Sequence, residues 1–358
     1  VSGTMTGLGA SRAHPEVAAA TAAAMGHFMR MHELQARASA TIAALTGAEA
    51  GCMTASASAG ISLCVAGCIS GLDPARAEAL PRNPGPKSEV VVQTGHLCGY
   101  GAPVSTAIEL AGGTVRQIGQ STLAMDHQLR GALGPDTAAA LYVVSHHVVH
   151  YGQIPFARFV EICHAAGVPV IVDAASEYDL RGFIAQGADL AIYSAHKFLG
   201  GPTGGIIAGR RDLVRAAYLQ NIGIGRGMKI GKESIAGAIR AMERWMARDH
   251  AGIRAEERAA LKLWQDRLAG IHGITARIVP DPTANPLDRL QVEVDPTLAG
   301  TTAAAIARHL GNLDPAIIVR DQSLRELHDH MAERDTYIAK KTKKISEKDR
   351  QIALLSRA

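Results

Sequence analysis

The chain has 358 residues, 47% of them hydrophobic and 20% charged, a balance that suits a globular protein of about two domains with a sizeable core. A net charge of +4, from 37 basic and 33 acidic residues, is too small and too dispersed for a nucleic-acid surface. The cysteines (Cys52, Cys64, Cys68, Cys98, Cys163) follow no metal-ligand spacing, which fits reduced thiols in a cytoplasmic protein. No leader pattern opens the sequence, and its most apolar stretch, residues 55–71, is too short to span a membrane.

Residues 1–14 read as a Gly- and Ser-rich arm. Helices are predicted from Pro15 to about Gly26 and from Met31 to about Thr46, where Ala, Leu and Met recur at helical spacing and Gly47 stops the second. Short apolar runs then alternate with helical or loop segments: Gly51–Thr54, Val90–Gln93, Thr114–Ile118, Leu141–Ser145, Pro169–Val172, Leu190–Tyr193 and Gly205–Ala208. The clearest intervening helix is Pro155 to Ala166. This alternation predicts an α/β fold with a seven-stranded, mostly parallel sheet in a large domain, residues 15–229. One long helix is expected over 230–269, linking to a smaller α+β domain at 270–320. That domain would hold strands in TARIVP and RLQVEVDP, a helix at Thr302–Leu310 and a last strand in AIIVR. Residues 321–358 are charge-dense and read as an exposed helix or a disordered tail.

Chemistry concentrates where strands end. In LAIYSAHKFLGGPTGG a buried strand breaks at Ser194 into a Gly-rich loop that carries Lys197. In VPVIVDAA, 24 residues earlier, Asp173 ends another apolar run. Singly these read as a surface lysine and a helix-capping aspartate. Together, at the carboxyl ends of central strands, an amine and an acid suit pyridoxal 5'-phosphate, which needs a lysine for a Schiff base and a carboxylate for its ring nitrogen. MTASASAG leads a strand into an apolar helix, so Ser56, Ala57 and Ser58 would sit at a helix N-terminus suited to a phosphate, with Ser194 adding a hydroxyl. Ser is equally the commonest helix cap.

QTGHLCGYGAP places His96 past a strand end, where its imidazole could stack on the pyridine ring. Tyr100 is the competing stacker and Cys98 a further acid/base candidate. SHHVVH gathers His146, His147 and His150 without a matching ligand cluster, so no metal is expected, and His146 reads as facing cofactor or substrate. NIGIGRGMKIGKE carries Arg226, Lys229 and Lys232 among glycines, suited to an anionic substrate group or to a solvated basic loop. Its GIG and the early GLG are not dinucleotide fingerprints.

The segments GASRAHPEV, TGAEAGCMTASASAG, VPVIVDAASE, GADLAIYSAHKFLGGPTGGIIAG and GIGRGMKIGKE, in that order, resemble the fold type I pyridoxal-phosphate enzymes. Within them the chain is similar, over residues 3 to about 320, to the group of bacterial selenocysteine synthase and the D-glucosaminate-6-phosphate ammonia-lyases. The resemblance implies Lys197 as the Schiff-base lysine, Asp173 as partner of the ring nitrogen, Ala175 beneath the ring, and Ser56, Ala57 and Ser58 around the phosphate. It implies Thr203 at the phosphate of a neighbouring subunit, hence a homodimer or larger homo-oligomer with shared sites, and Arg320 as a carboxylate ligand. The chain opens directly on the catalytic-core arm, without a tRNA-binding extension, so a tRNA substrate is not expected. The stretch after Arg320 does not resemble a continued small domain.

The activity expected is α,β-elimination on a hydroxylated amino acid or amino sugar acid. Lys197 would remove the α-proton, Asp173 would keep the ring nitrogen protonated, and a 2-keto acid and ammonia would leave. Arg226 and Lys229 would hold a carboxylate or distal phosphate. The alternatives are a racemase or epimerase with His96 or Cys98 as second base, an aldolase, and a β-replacement transferase; a cofactor-free structural protein is a more distant one.

Overall fold

A computed structural model of the protein describes residues 4–319. Helix α1, Pro15–Met25, starts on a proline, and the His14 side chain caps it by accepting the Glu16 N–H at 3.3 Å. Helix α2, Met31–Thr46, ends on Gly47, which takes the left-handed conformation that favours glycine (φ 76°). Seven strands follow: β1 (Ala50–Thr54), β2 (Glu89–Gln93), β3 (Thr114–Ile118), β4 (Thr137–Val143), β5 (Val170–Asp173), β6 (Leu190–Ser194) and β7 (Gly205–Gly209). They form one sheet in the order β3-β2-β4-β5-β6-β7-β1, in which β7 runs antiparallel to both its neighbours and the remaining pairs are parallel.

The core lies on both faces of this sheet. Strands β4, β5 and β6 are buried at every position, as parallel strands covered on both sides must be. Helix α3, Ala57–Ser70, is buried on nearly all sides. That explains why its sequence carries no polar stripe. At Gly67 it passes so close to the Arg211–Leu219 helix that a Cβ would lie 2.7 Å from the Ala217 nitrogen.

Three expectations need correction. The fourth strand runs Thr137–Val143, not Leu141–Ser145: the alanines of TAAAL read as helix-formers, but small side chains fit a strand pressed between two helical layers. The helix expected over 230–269 is two, Lys232–Met246 and His250–Leu268. Asp249 breaks it by accepting the Gly252 N–H at 2.9 Å, and His250 turns back to the Trp245 carbonyl at 2.9 Å. Residues 316–319 form no strand, so the described part of AIIVR is irregular. Arg320 and the 321–358 segment lie outside the described residues.

Two compact units result. Among the described residues, one comprises 4–257 and 280–288; the other holds 258–279 and 289–319. The second contains a two-stranded sheet of β8 (Ile274–Pro280) and β9 (Asp288–Val294) and short helices at Pro296–Ala299 and Ala303–Gly311. Among the described residues no helix is long and apolar enough to cross a membrane.

Candidate active site

In an open parallel sheet, side chains at the carboxyl ends of the strands face the crevice where ligands bind. Strands β5 and β6 are neighbours, paired through Asp173 and Ile192, and they end at Asp173 and Ser194. Asp173 is buried, and its carboxylate accepts a hydrogen bond from the Ala175 N–H at 3.2 Å. Burial pushes its carboxyl up to about 6, against the opposing pull of that N–H and of the Lys197 charge. Lys197 follows in the loop after β6, and its Nζ donates to the Ser176 hydroxyl at 2.6 Å. Burial lowers the amine below the usual lysine range, while Asp173 and Glu177 pull the other way.

Ala175 sits between these two groups. It is half-buried, and its carbonyl accepts the Ser194 N–H at 3.1 Å, which ties the end of β6 to the turn after β5. Ser194 is itself buried.

On the far side of β7, Ser56 caps α3 by accepting the Ala59 N–H at 3.0 Å, and Ala57 is its buried first residue. A side chain at Gly205 would overlap the Ser56 carbonyl, so glycine there lets β7 lie against the start of α3. The Ser58 hydroxyl is 3.1 Å from the Tyr100 hydroxyl, which links the helix start to the loop after β2. Tyr100 feels the Asp173 charge, and burial raises its phenol above the usual range.

His96 occupies a different setting from the one its loop position suggests. It is wholly buried, and its ring stands edge-on to Tyr142 with centroids 4.4 Å apart. Its Nδ1 accepts the Val143 N–H at 3.2 Å, which leaves the proton on Nε2, a buried donor without a protein partner. Burial pushes the imidazole down to about 4, so it is neutral at physiological pH. Val143 pairs with Asp173 across the sheet, so this neutral ring rests on the strand beside the acid. Of the two candidate stacking rings, Tyr100 is the one solvent reaches, at 38% exposure. Cys98 is buried, and desolvation with the Asp173 charge pushes its thiol up to about 11, far from a ready base.

The remaining sequence candidates lie farther out. Arg226 and Lys229 are exposed, but their loop is anchored: the Met228 carbonyl accepts from the Thr54 hydroxyl at 3.0 Å and the Ala55 N–H at 3.1 Å, at the end of β1. His146 is exposed in the turn after β4, its ring 4.0 Å from that of His147. Thr203 is exposed in the loop before β7. Among the described residues no group of His, Cys, Asp or Glu side chains is arranged to hold a metal ion.

Two residues of this site escaped the sequence reading. Ser176 and Glu177 complete the DAASE turn, and the amine of Lys197 rests on the first of them. The signal was a second acid four positions after Asp173, directly behind a strand end.

The sheet order, the single antiparallel strand and the acid–amine pair at adjoining strand ends define the fold of the type I pyridoxal-phosphate enzymes. The family model of L-seryl-tRNA selenium transferase matches residues 29–345, and the chain belongs to that family. The match runs past residue 320, where the resemblance read from the sequence stopped. A D-glucosaminate-6-phosphate ammonia lyase from Salmonella typhimurium is 40% identical over 324 residues, covering 90% of this chain and 87% of that protein. A 5'-C-glycyluridine monooxygenase-decarboxylase from a Streptomyces species is 39% identical over 312 residues, covering 84% of this chain and 77% of that protein. A solved structure of a D-glucosaminate-6-phosphate ammonia-lyase superposes with a TM-score of 0.82 at 39% identity, covering 90% of this chain and 87% of that one.

Proposed function

We propose that this protein is a pyridoxal-phosphate-dependent ammonia-lyase that eliminates the β-hydroxyl of a hydroxylated amino acid or amino sugar acid, giving a 2-keto acid and ammonia. The observation that carries this reading is the buried Asp173 and the half-buried Lys197 at the ends of adjoining strands. Similarity to the Salmonella lyase over most of both chains supports it and suggests D-glucosaminate 6-phosphate as the first substrate to try. The site fits the cofactor: an under-satisfied buried acid, a desolvated amine, the start of α3 lined by Ser56, Ala57 and Ser58, and the orphaned Nε2–H of His96. When bound, pyridoxal phosphate supplies an aldehyde for the substrate amine and a protonated ring that takes up the electron pair freed at the α-carbon.

The chain's own groups do the rest. Asp173 would hold the proton on the ring nitrogen, and the paired cation would offset the cost of its buried charge. Lys197, desolvated and parked on Ser176, takes the α-proton once substrate has replaced it; its ammonium then protonates the departing hydroxyl. Ser56, Ala57, Ser58 and Ser194 receive the phosphate, with Thr203 supplied from a second subunit of a homodimer or larger oligomer. Ala175 and His96 would flank the ring, and the Nε2–H of His96 would be free to meet a polar group of the cofactor or substrate. Arg226, Lys229 and His146 hold the substrate's carboxylate or distal phosphate. The unpaired cysteines, all but Cys68 buried, suit the reducing cytoplasm.

The test has two parts. Borohydride treatment of the loaded protein should fix the cofactor on the peptide that carries Lys197, and incubation with D-glucosaminate 6-phosphate should release keto acid and ammonia in equal amounts. Trapping on another lysine, or substrate that returns only with inverted configuration, would sink the lyase reading. A second reading, oxidative decarboxylation, is favoured by the nearly equal identity to the Streptomyces protein. Oxygen uptake with release of carbon dioxide would decide for it.

A further inference from the structure

A second recess lies apart from the catalytic crevice. A cavity of about 530 Å³ is bordered by the end of α2, the 178–181 turn, the junction of the Lys232–Met246 and His250–Leu268 helices, and Pro286 with Leu287. All of its lining residues belong to one compact unit, and Asp173, Lys197, His96, Ser56 and Ser58 are not among them. On one side the Arg181 guanidinium donates to the Ala44 carbonyl at 2.5 Å, close to where α2 leads into β1. Strand β1 begins beside the start of β6, with Gly209 paired to both Ala50 and Leu190, so that wall lies toward the end of the sheet opposite Ser194. The volume suits a small organic ligand.

The walls combine two kinds of surface. Leu45, Leu180, Met246 and Leu287 are apolar, while Arg181, Arg248 and Arg254 bring three guanidinium groups. Two of the three are uncommitted. Arg248 lies over the Trp245 ring, 5.1 Å from its centroid, which restricts the plane of its fork. Among the described residues its guanidinium makes no hydrogen bond: Glu257 is 3.9 Å away, and Nε is shut from water without a partner. The rest of the side chain is still 30% exposed. Arg254, exposed near the start of the next helix, likewise has no side-chain partner among the described residues. Asp179 spends its carboxylate on the N–H groups of Arg181 and Gly182, at 3.1 and 2.6 Å. Three arginines against two acids, Asp179 and Glu257, leave a net charge of +1 without counting His250. That balance matches one compact anionic head and not a polyphosphate.

We propose that this cavity is a second, non-catalytic ligand site, which takes a small organic acid with one carboxylate or phosphate head on an apolar body. The head meets Arg248 and Arg254, whose forks offer paired N–H donors to two anionic oxygens. The body lies against Leu45, Leu180, Met246 and Leu287. Because Arg248 is already held on Trp245, it loses little freedom when the head arrives. The ligand supplies partners for charges that the fold itself leaves bare, at a place that the reaction at Lys197 does not use.

The test is protection of arginines from phenylglyoxal in the full-length chain, read peptide by peptide by mass spectrometry. Phenyl phosphate and 3-phenylpropanoate are the probes, with inorganic phosphate and acetate as their bare heads. At about ten times its Kd, at least one probe should slow labelling of both Arg248 and Arg254 by about tenfold, well beyond its bare head. The better probe names the head. Arg116, exposed on the edge strand β3, should label at an unchanged rate. Arg254→Gln, at an exposed position, should weaken protection at Arg248 by about tenfold in Kd, the worth of a charge-assisted hydrogen bond. Arg248→Lys keeps the charge but loses the fork, and should weaken protection at Arg254 as well. No protection, or protection no greater than that by the bare heads, overturns the proposal. So does protection of Arg226 without Arg248 and Arg254, which would place the probe in the candidate active site. Labelling is read at each peptide and needs no turnover, so the result stands whatever reaction takes place at Lys197.

Discussion

Two buried aspartates flank the middle of the sheet, and they are treated very differently. Asp189, at the entrance to β6, receives the Arg210 guanidinium at 3.0 Å, the His164 imidazole at 2.8 Å and the Val170 N–H at 2.8 Å. Asp173, at the exit of β5, receives one backbone N–H at 3.2 Å. Both are almost inaccessible to water. The first is saturated and holds the strand start in place; the second keeps unused hydrogen-bonding capacity, and its proton affinity rises accordingly. A buried acid left short of partners in a fold that can satisfy another one so fully marks the place where a ligand completes the set.

The contrast can be broken experimentally. The largest effect belongs to the amine that Asp173 serves: Lys197→Ala should reduce kcat by roughly 10²–10⁴-fold or more, with no cofactor trapped by borohydride. Residual turnover near the wild-type rate would remove the site from this end of the sheet. Asp173→Asn should also abolish most activity, yet without loss of stability in the cofactor-free protein. Its folded-state proton affinity lies above its ordinary value of 3.8, near 6. The native state therefore binds more protons than the unfolded one in that window, and wild-type stability should fall as pH rises from about 4 to about 6, by on the order of 2–3 kcal/mol. Urea titrations at several pH values should show this slope in the wild type and lose it in Asp173→Asn.

Asp189→Ala should behave in the opposite way, losing about 1–3 kcal/mol of stability while the folded enzyme keeps its kcat. The figure is modest because Arg210 and His164 are half-exposed and regain water. Loss of turnover out of proportion to unfolding would blur the division between the two acids. The smallest effect is expected of Ser176→Ala: removing the rest for the Lys197 amine should change kcat by roughly three- to tenfold and leave cofactor affinity nearly intact.

How much of this was legible depended on the range over which the chemistry acts. Strand ends were readable because apolar runs stop where the backbone leaves the sheet, so Asp173 and Lys197 stood out against buried sequence. The strand of Thr137–Val143 was read late because alanine carries no strand signal of its own; its burial comes from layers packed on both sides. The break at Asp249 is local and was available in the sequence as a capping residue inside a helical pattern. The hydrogen bond from the Tyr178 N–H to the Asn285 amide oxygen, at 2.8 Å, was not legible, since nothing in DPTAN says which turn it will meet. Likewise His96 stood in a ligand-rich loop, while the edge-on packing against Tyr142 is a tertiary fact.

The antiparallel strand β7 has a consequence for how the protein is made. Among the described residues strand β1 has no sheet partner but β7, which is synthesised more than 150 residues later. Until then the apolar helix α3, directly behind β1, lacks β7 and the Arg211–Leu219 helix, against which much of its surface packs. A nascent chain halted before residue 205 should thus expose this helix and bind chaperones strongly, and one halted after the β7 strand has left the ribosome should not. The last inner strand to be made is the one that closes the sheet, so assembly of the α3 end of the candidate site waits on the same event.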